Sequence, residues 1–249
     1  MKNNTRAVFI YCTILLSAIG CSKKTDTYKT DQLTDYLQLA PGKYITYRLD
    51  SLEYGLNFGL ADTTVSYLAR DVVDTLITDN LGRPSWRIIR YYSDTTGTGD
   101  WTAVTTYMLT PTRTSVETVE DNMRFIKLVL PITDGVTWKG NSYIDTRSAS
   151  STVPYLDNWD YTYVNTGQAY QLNSGSVPST VTVNQQDIST GDSTDASTYS
   201  DRTLSVEVYG KGIGMIYKNF LHWEYQPPGV NPQGFKTGYG ITLSMIDHN

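Results

Sequence analysis

Short runs of alternating apolar and polar residues recur along this chain. In "KYITYRLDSL" (43–52), Ile45, Tyr47 and Leu49 fall on one face and Thr46, Arg48 and Asp50 on the other. That period of two marks a half-buried strand. The same pattern, rich in Tyr, Val, Ile and Thr, predicts strands at 63–77, 85–93, 101–109, 124–132, 203–210, 214–225 and 239–246, with two more at 160–165 and 179–188. "TDNLGRP" separates the second from the third and supplies Asn80 and Gly82, residues that tolerate positive φ in a turn. Residues 146–160 and 189–202 are rich in Ser, Thr and Asp and read as long loops. Beyond the first twenty residues, no stretch keeps a helical period for three turns.

About ten strands joined by short polar connections predict an all-β, antiparallel sheet. Its edges must be protected, so the sheet is expected to curve into a half-barrel, a barrel or a sandwich. Charges fall on both faces of the strands, as at Arg87 and Arg90. A transmembrane barrel needs an apolar band facing lipid, and these charges argue against one.

The first twenty residues break the pattern. Lys2 and Arg6 form a basic start, Ala7–Leu16 an apolar core, and Ser17-Ala18-Ile19-Gly20 a run of small residues before Cys21. This is the layout of a secretory signal, and its core is shorter than the ~20 residues of a spanning helix. Ala18-Ile19-Gly20-Cys21 resembles the lipobox of bacterial lipoproteins, with Ala18 where leucine is usual. The resemblance implies cleavage before Cys21 and acylation there, which anchors the chain through its acyl groups. Cys12 lies in the leader, so the mature chain keeps one cysteine and has no disulfide. Ser22, in place of the aspartate that retains lipoproteins at the inner membrane, implies the outer membrane. The expected organisation is a signal peptide at 1–20, an acylated flexible tether at 21–38, and a single β domain at 39–249.

The formal net charge of −5 becomes −7 once Lys2 and Arg6 leave with the leader. An acidic chain without a basic stripe makes nucleic acid an unsuitable partner. The unusual enrichment is aromatic, with 20 Tyr and 5 Trp, side chains that suit glycan, lipid or protein surfaces. Trp159, Tyr161 and Tyr163, beside a long loop, are the candidate ligand-facing cluster.

Catalytic constellations are sparse. Gly210, Gly212 and Gly214 lie between two strands, where a bulge or tight bend explains them better than a phosphate loop. His222 projects on the same face as Glu224, which reads as a structural pair, and His248 is next to the chain end. Asp187, Asp192, Asp195 and Asp201 crowd one loop without the spacing of a calcium site. No cofactor or metal is expected, and no nucleophile with its base is visible. Paired carboxylates of a glycoside hydrolase are set by the fold and not by spacing.

"RFIKLVLPITDGVTWKGN" followed by "VEVYGKGIGMIYKN", after the opening "APGKYITYRLDS", resembles β-rich lipoproteins of the Bacteroidota type, in order over residues 40–246. The resemblance implies a curved antiparallel sheet and carries over no catalytic residue. It also implies O-glycosylation at Asp-Ser/Thr motifs, here Thr63, Thr75, Thr95 and Ser193. The expectation is a non-enzymatic binding or assembly module in the cell envelope. The alternatives are a carrier of an apolar ligand in a half-barrel and a hydrolase with paired acids.

Overall fold

The computed structural model describes residues 30–54, 62–229 and 234–249. Twelve strands form one antiparallel sheet curled into a nearly closed barrel. They are β1 (Tyr44–Tyr54), β2 (Thr63–Thr78), β3 (Pro84–Ser93), β4 (Thr102–Pro111), β5 (Ser115–Glu120), β6 (Met123–Val129), β7 (Thr137–Trp138), β8 (Tyr161–Leu172), β9 (Gly175–Thr190), β10 (Ser200–Gly210), β11 (Gly214–Gln226) and β12 (Phe235–His248). The sheet order is β6-β5-β4-β3-β2-β1-β12-β11-β10-β9-β8-β7, so hairpins run outward in both directions from the β1–β12 pair.

All ten predicted strands are present, and two more appear. β5 pairs with β6 across Asp121-Asn122, both at positive φ (51° and 60°), the geometry of a two-residue hairpin turn. β7 is only two residues long. The 160–165 and 179–188 segments are parts of longer strands, β8 and β9, which meet at Asn173-Ser174. Register shifts around Gln168, with positive φ at Asn165 and Gly167, bend this hairpin. Its tip crosses β10 and β11, so that Ser174 Oγ donates to the Met245 carbonyl on β12 (2.6 Å).

The two sheet ends, β6 and β7–β8, face each other across a seam. Ile126 N–H donates to the Gly140 carbonyl (2.8 Å), and Trp138 Nε1 donates to the Ile126 carbonyl (2.8 Å). The Tyr163 hydroxyl accepts from Val129 N–H (2.7 Å) and donates to the Val129 carbonyl (2.8 Å). Side chains thus satisfy edge groups that a ladder would otherwise pair. Gly140 is required here, since a Cβ would stand 2.4 Å from the Tyr161 ring.

The described part of the expected tether at 21–38 packs on the barrel. Leu33–Tyr36 forms a 3-10 turn whose Leu33 and Tyr36 are buried, and Lys211 pairs with Asp31 to fasten it to the β10–β11 turn. Polar residues between these two hide the packing in the sequence. The outward faces carry ion pairs, among them Arg48–Asp50, Arg87–Asp74 and Arg202–Asp187. Such pairs are costly against hydrocarbon and ordinary in water.

Candidate functional site: a charged belt inside the barrel

Strand alternation directs Asp71 (β2), Arg90 (β3), Glu207 (β10) and Lys218 (β11) inward, because each pairs beside core positions. Asp71 is the partner of Ile45, and Lys218 is the partner of Leu243. Lys127, from β6, and Glu120, at the end of β5, complete a belt around the interior. Acids and bases balance: Asp71, Glu120 and Glu207 face Arg90, Lys127 and Lys218.

Two pairs are tight. Arg90 grips Asp71 with Nε (2.6 Å) and Nη2 (2.7 Å), and the Tyr107 hydroxyl donates to the same carboxylate (3.0 Å). Lys127 Nζ donates to Glu207 Oε1 (2.6 Å), and Tyr209 donates to Oε2 (2.7 Å). The other contacts are long. Arg90 Nη1 is 3.5 Å from Glu120 Oε1, and Lys218 Nζ is 3.9 Å from Glu207 Oε1.

Burial pushes the Glu207 carboxyl up, but Lys127 and Lys218 with two hydrogen bonds outweigh it and hold the group below its ordinary value. Glu120 follows the same logic, with Lys218, Arg90 and Lys127 overcoming burial. Lys127 is lowered, chiefly by burial, and only partly restored by Glu207. Burial also raises the Tyr47, Tyr107 and Tyr209 phenols far above theirs. Both interior glutamates are therefore ionised near neutral pH.

The belt separates two chambers. One, about 100 Å³, has apolar walls including Ile45, Val73, Ile88 and Met215, and residues Leu37–Leu39 lie across it. The other, about 280 Å³, lies toward the opposite end, under Tyr155 and Leu156 of the short 3-10 turn Pro154–Leu156. The Tyr155 and Tyr239 hydroxyls meet there at 3.3 Å. Gln185 reaches into this second chamber from β9.

The predicted aromatic cluster is buried in the barrel. Trp159, Tyr161 and Tyr163 are 2%, 1% and 0% exposed. Tyr163 closes the seam, and the Tyr161 hydroxyl donates to Asn141 Oδ1 (2.8 Å). Trp159 donates Nε1 to the Tyr155 carbonyl (2.7 Å). Alternation placed Tyr161 and Tyr163 on one face correctly, but that face is interior, and Trp159 and Tyr161 form part of the larger chamber's wall.

His222 is inward and stacked on Tyr155, with ring centroids 3.9 Å apart and Nδ1 2.9 Å from Thr203 Oγ1. Burial lowers its pKa, so the ring is neutral at pH 7. Its partner Glu224 lies 3.9 Å away. The loop acids serve local turns: Asp192 and Asp195 accept from Thr194 and Ser197, while Asp187 pairs with Arg202. No group of acids, His and Cys fit for a metal occurs among the described residues. The three glycines belong to the β10–β11 turn, with Gly212 and Gly214 at positive φ and a register shift beside Tyr209.

Of the glycosylation candidates, Thr63, Thr95 and Ser193 are exposed, and Thr75 is half-buried within β2. Cys21 lies outside the described residues. Sequence reasoning missed the belt itself, since a charged side chain on a strand ordinarily marks the face turned to water. No protein-family model matches this chain, and no curated protein matches it in sequence.

Proposed function

We propose that the protein is a non-enzymatic binding module of the cell envelope, held at the outer membrane through Cys21, whose ligand site is the barrel interior. The observation that carries this reading is the charged belt beside a chamber of about 280 Å³. Burying ionised groups is expensive, and hydrophobic replacements of similar volume are often as stable or more so. Nor does the fold require space there, since interiors pack to crystal density when nothing else occupies them. Concave, enclosed cavities with a few convergent polar groups are the usual setting for small ligands.

The apolar-carrier alternative fits the smaller chamber better, since its walls are the more apolar. The hydrolase alternative requires a carboxyl held protonated as general acid. Glu120 and Glu207 are both held below their ordinary values, the opposite condition.

Native mass spectrometry of the full chain, released gently from its own membrane in detergent, tests the binding role. A discrete small-molecule mass that departs on denaturation is the expected result. A clean apo mass under several release conditions overturns it. The same spectra give the acyl mass on Cys21, which Cys21→Ser must abolish together with membrane association.

A further inference from the structure

The larger chamber contains polar groups whose hydrogen-bonding capacity its own walls leave unspent. Gln185 is 2% exposed and accepts the Ser205 hydroxyl at Oε1 (2.6 Å), while its Nε2 is buried without a hydrogen-bond partner. Native folds keep few such donors, because each forfeits its hydration for nothing. Lys218 Nζ, at 3.9 Å from Glu207, is beyond hydrogen-bond range, since Lys127 already occupies that oxygen. Glu120 has Arg90 only at 3.5 Å, because the guanidinium grips Asp71 with Nε and Nη2. One ammonium and one carboxylate therefore face a common space, and Gln185 forms part of its wall. Much of the remaining wall is apolar, with Met123, Phe125, Phe220, Ile241 and Leu243.

We propose that this chamber binds a zwitterion of amino-acid size with an apolar side chain. Its carboxylate takes Lys218 Nζ and Gln185 Nε2, its ammonium takes Glu120, and its side chain packs on Phe220 and Ile241. The assignment rests on the reading of the interior as a ligand site and specifies what that site holds.

Charge balance selects against the other classes. A simple anion, such as a fatty acid, would leave Glu120 facing a second negative charge. A simple cation would do the same to Lys218. A sugar carries no net charge, but its ring of hydroxyls would meet the apolar wall with few partners. Only a ligand with both charges and an apolar remainder engages every unspent group.

Calorimetric titration of the full chain in detergent separates these classes. The probes are L-leucine and L-phenylalanine, phenylalaninamide (no carboxylate), N-acetylphenylalanine (no ammonium), octanoate and glucose. At least one of the two zwitterions is expected to bind saturably, with each single-charge analogue weaker by about tenfold or more. Lys218→Met is expected to weaken the zwitterion far more than phenylalaninamide, and Glu120→Gln to weaken it far more than N-acetylphenylalanine. The analogue series on the unmodified protein decides the matter even where a variant folds poorly.

Octanoate, glucose or a single-charge analogue binding as well as the zwitterions overturns the ligand class and leaves the interior site standing. Absence of binding by every probe, together with a clean apo native mass, removes the site as well. Where no probe binds but native spectra show a ligand, its chemical identity decides: a zwitterion supports the class and anything else overturns it.

Discussion

Two groups of ionised side chains in this barrel make opposite use of the same chemistry. At the β2–β3 turn, Asp79 accepts from the N–H groups of Leu81 (2.9 Å) and Arg83 (2.8 Å) and from Arg83 Nε (2.9 Å). Arg83 then grips both oxygens of Glu117 on β5, and Arg124 on β6 donates to Glu117 at 2.5 Å. Every carboxylate oxygen is engaged, and the cluster ties a turn to two strands beyond its neighbour. In the interior belt, Asp71–Arg90 and Lys127–Glu207 are equally tight, but Lys218, Glu120 and the Gln185 amide stand loose around a cavity. A network whose hydrogen bonds are all spent specifies structure. One with unspent members beside open space is arranged for something that arrives later.

The sharpest separation of the two groups is in their response to alkali. Burial raises Tyr47, Tyr107 and Tyr209 in the belt, so each folded pKa exceeds the unfolded value near 10. Their contribution to stability is full below pH ~10 and is lost as pH rises through the folded values. Cooperative loss of circular dichroism above pH ~10, with tyrosinate absorbance rising in step, is the expected titration. Ionisation of every tyrosine in a still-folded barrel would contradict it. The turn cluster fails at the other end. Glu117 is lowered by Arg83 and Arg124 against the opposing effect of burial, so its contribution is present above its ordinary value and lost as pH falls through the folded one.

Next in size is Glu207→Ala, which leaves Lys127 buried without its partner and should cost about 3–5 kcal/mol in urea unfolding. Replacing both, as Lys127→Met with Glu207→Leu, should recover most of that loss. If the single variant costs less than about 1 kcal/mol, the belt is wetter than its burial implies. Tyr163→Phe removes one hydroxyl but strands two backbone groups of Val129, for a cost of about 2 kcal/mol. Faster exchange of the Val129 amide locates the damage at the seam. Arg83→Ala, at a partly exposed side chain, should cost only about 1 kcal/mol and leave ligand binding unchanged.

How much of this was legible depends on where polarity points. Alternation in 43–52 and 203–210 gives the strands correctly, because the period of two is a property of the backbone. A charge within a strand ordinarily reads as facing solvent, yet Lys127 in "RFIKLVL" and Glu207 in "SVEVYG" are both buried. Around Glu207 both faces are covered: Val208 on the next position is 0% exposed, so no alternation could have shown which was interior. β5 is hidden by its brevity and by a polar two-residue turn. The 166–178 stretch, with two glycines and Pro178, looks like a loop, although its register shifts accommodate those residues inside a hairpin. The shared face of Tyr161 and Tyr163 was legible from alternation, but only closure of the sheet reveals that this face is interior.

Gln185→Leu offers the smallest expected change in stability and the most direct test of the interior as a binding site. The substitution deletes an unpaired donor and costs one hydrogen bond to Ser205, so unfolding free energy should shift by no more than about 1 kcal/mol in either direction. Measured on that same folded variant, native mass spectrometry should show the small-molecule mass lost or strongly reduced relative to the unmodified chain. A variant that is destabilised by more than about 3 kcal/mol while retaining the bound mass would contradict the account, making Gln185 a structural member of the core.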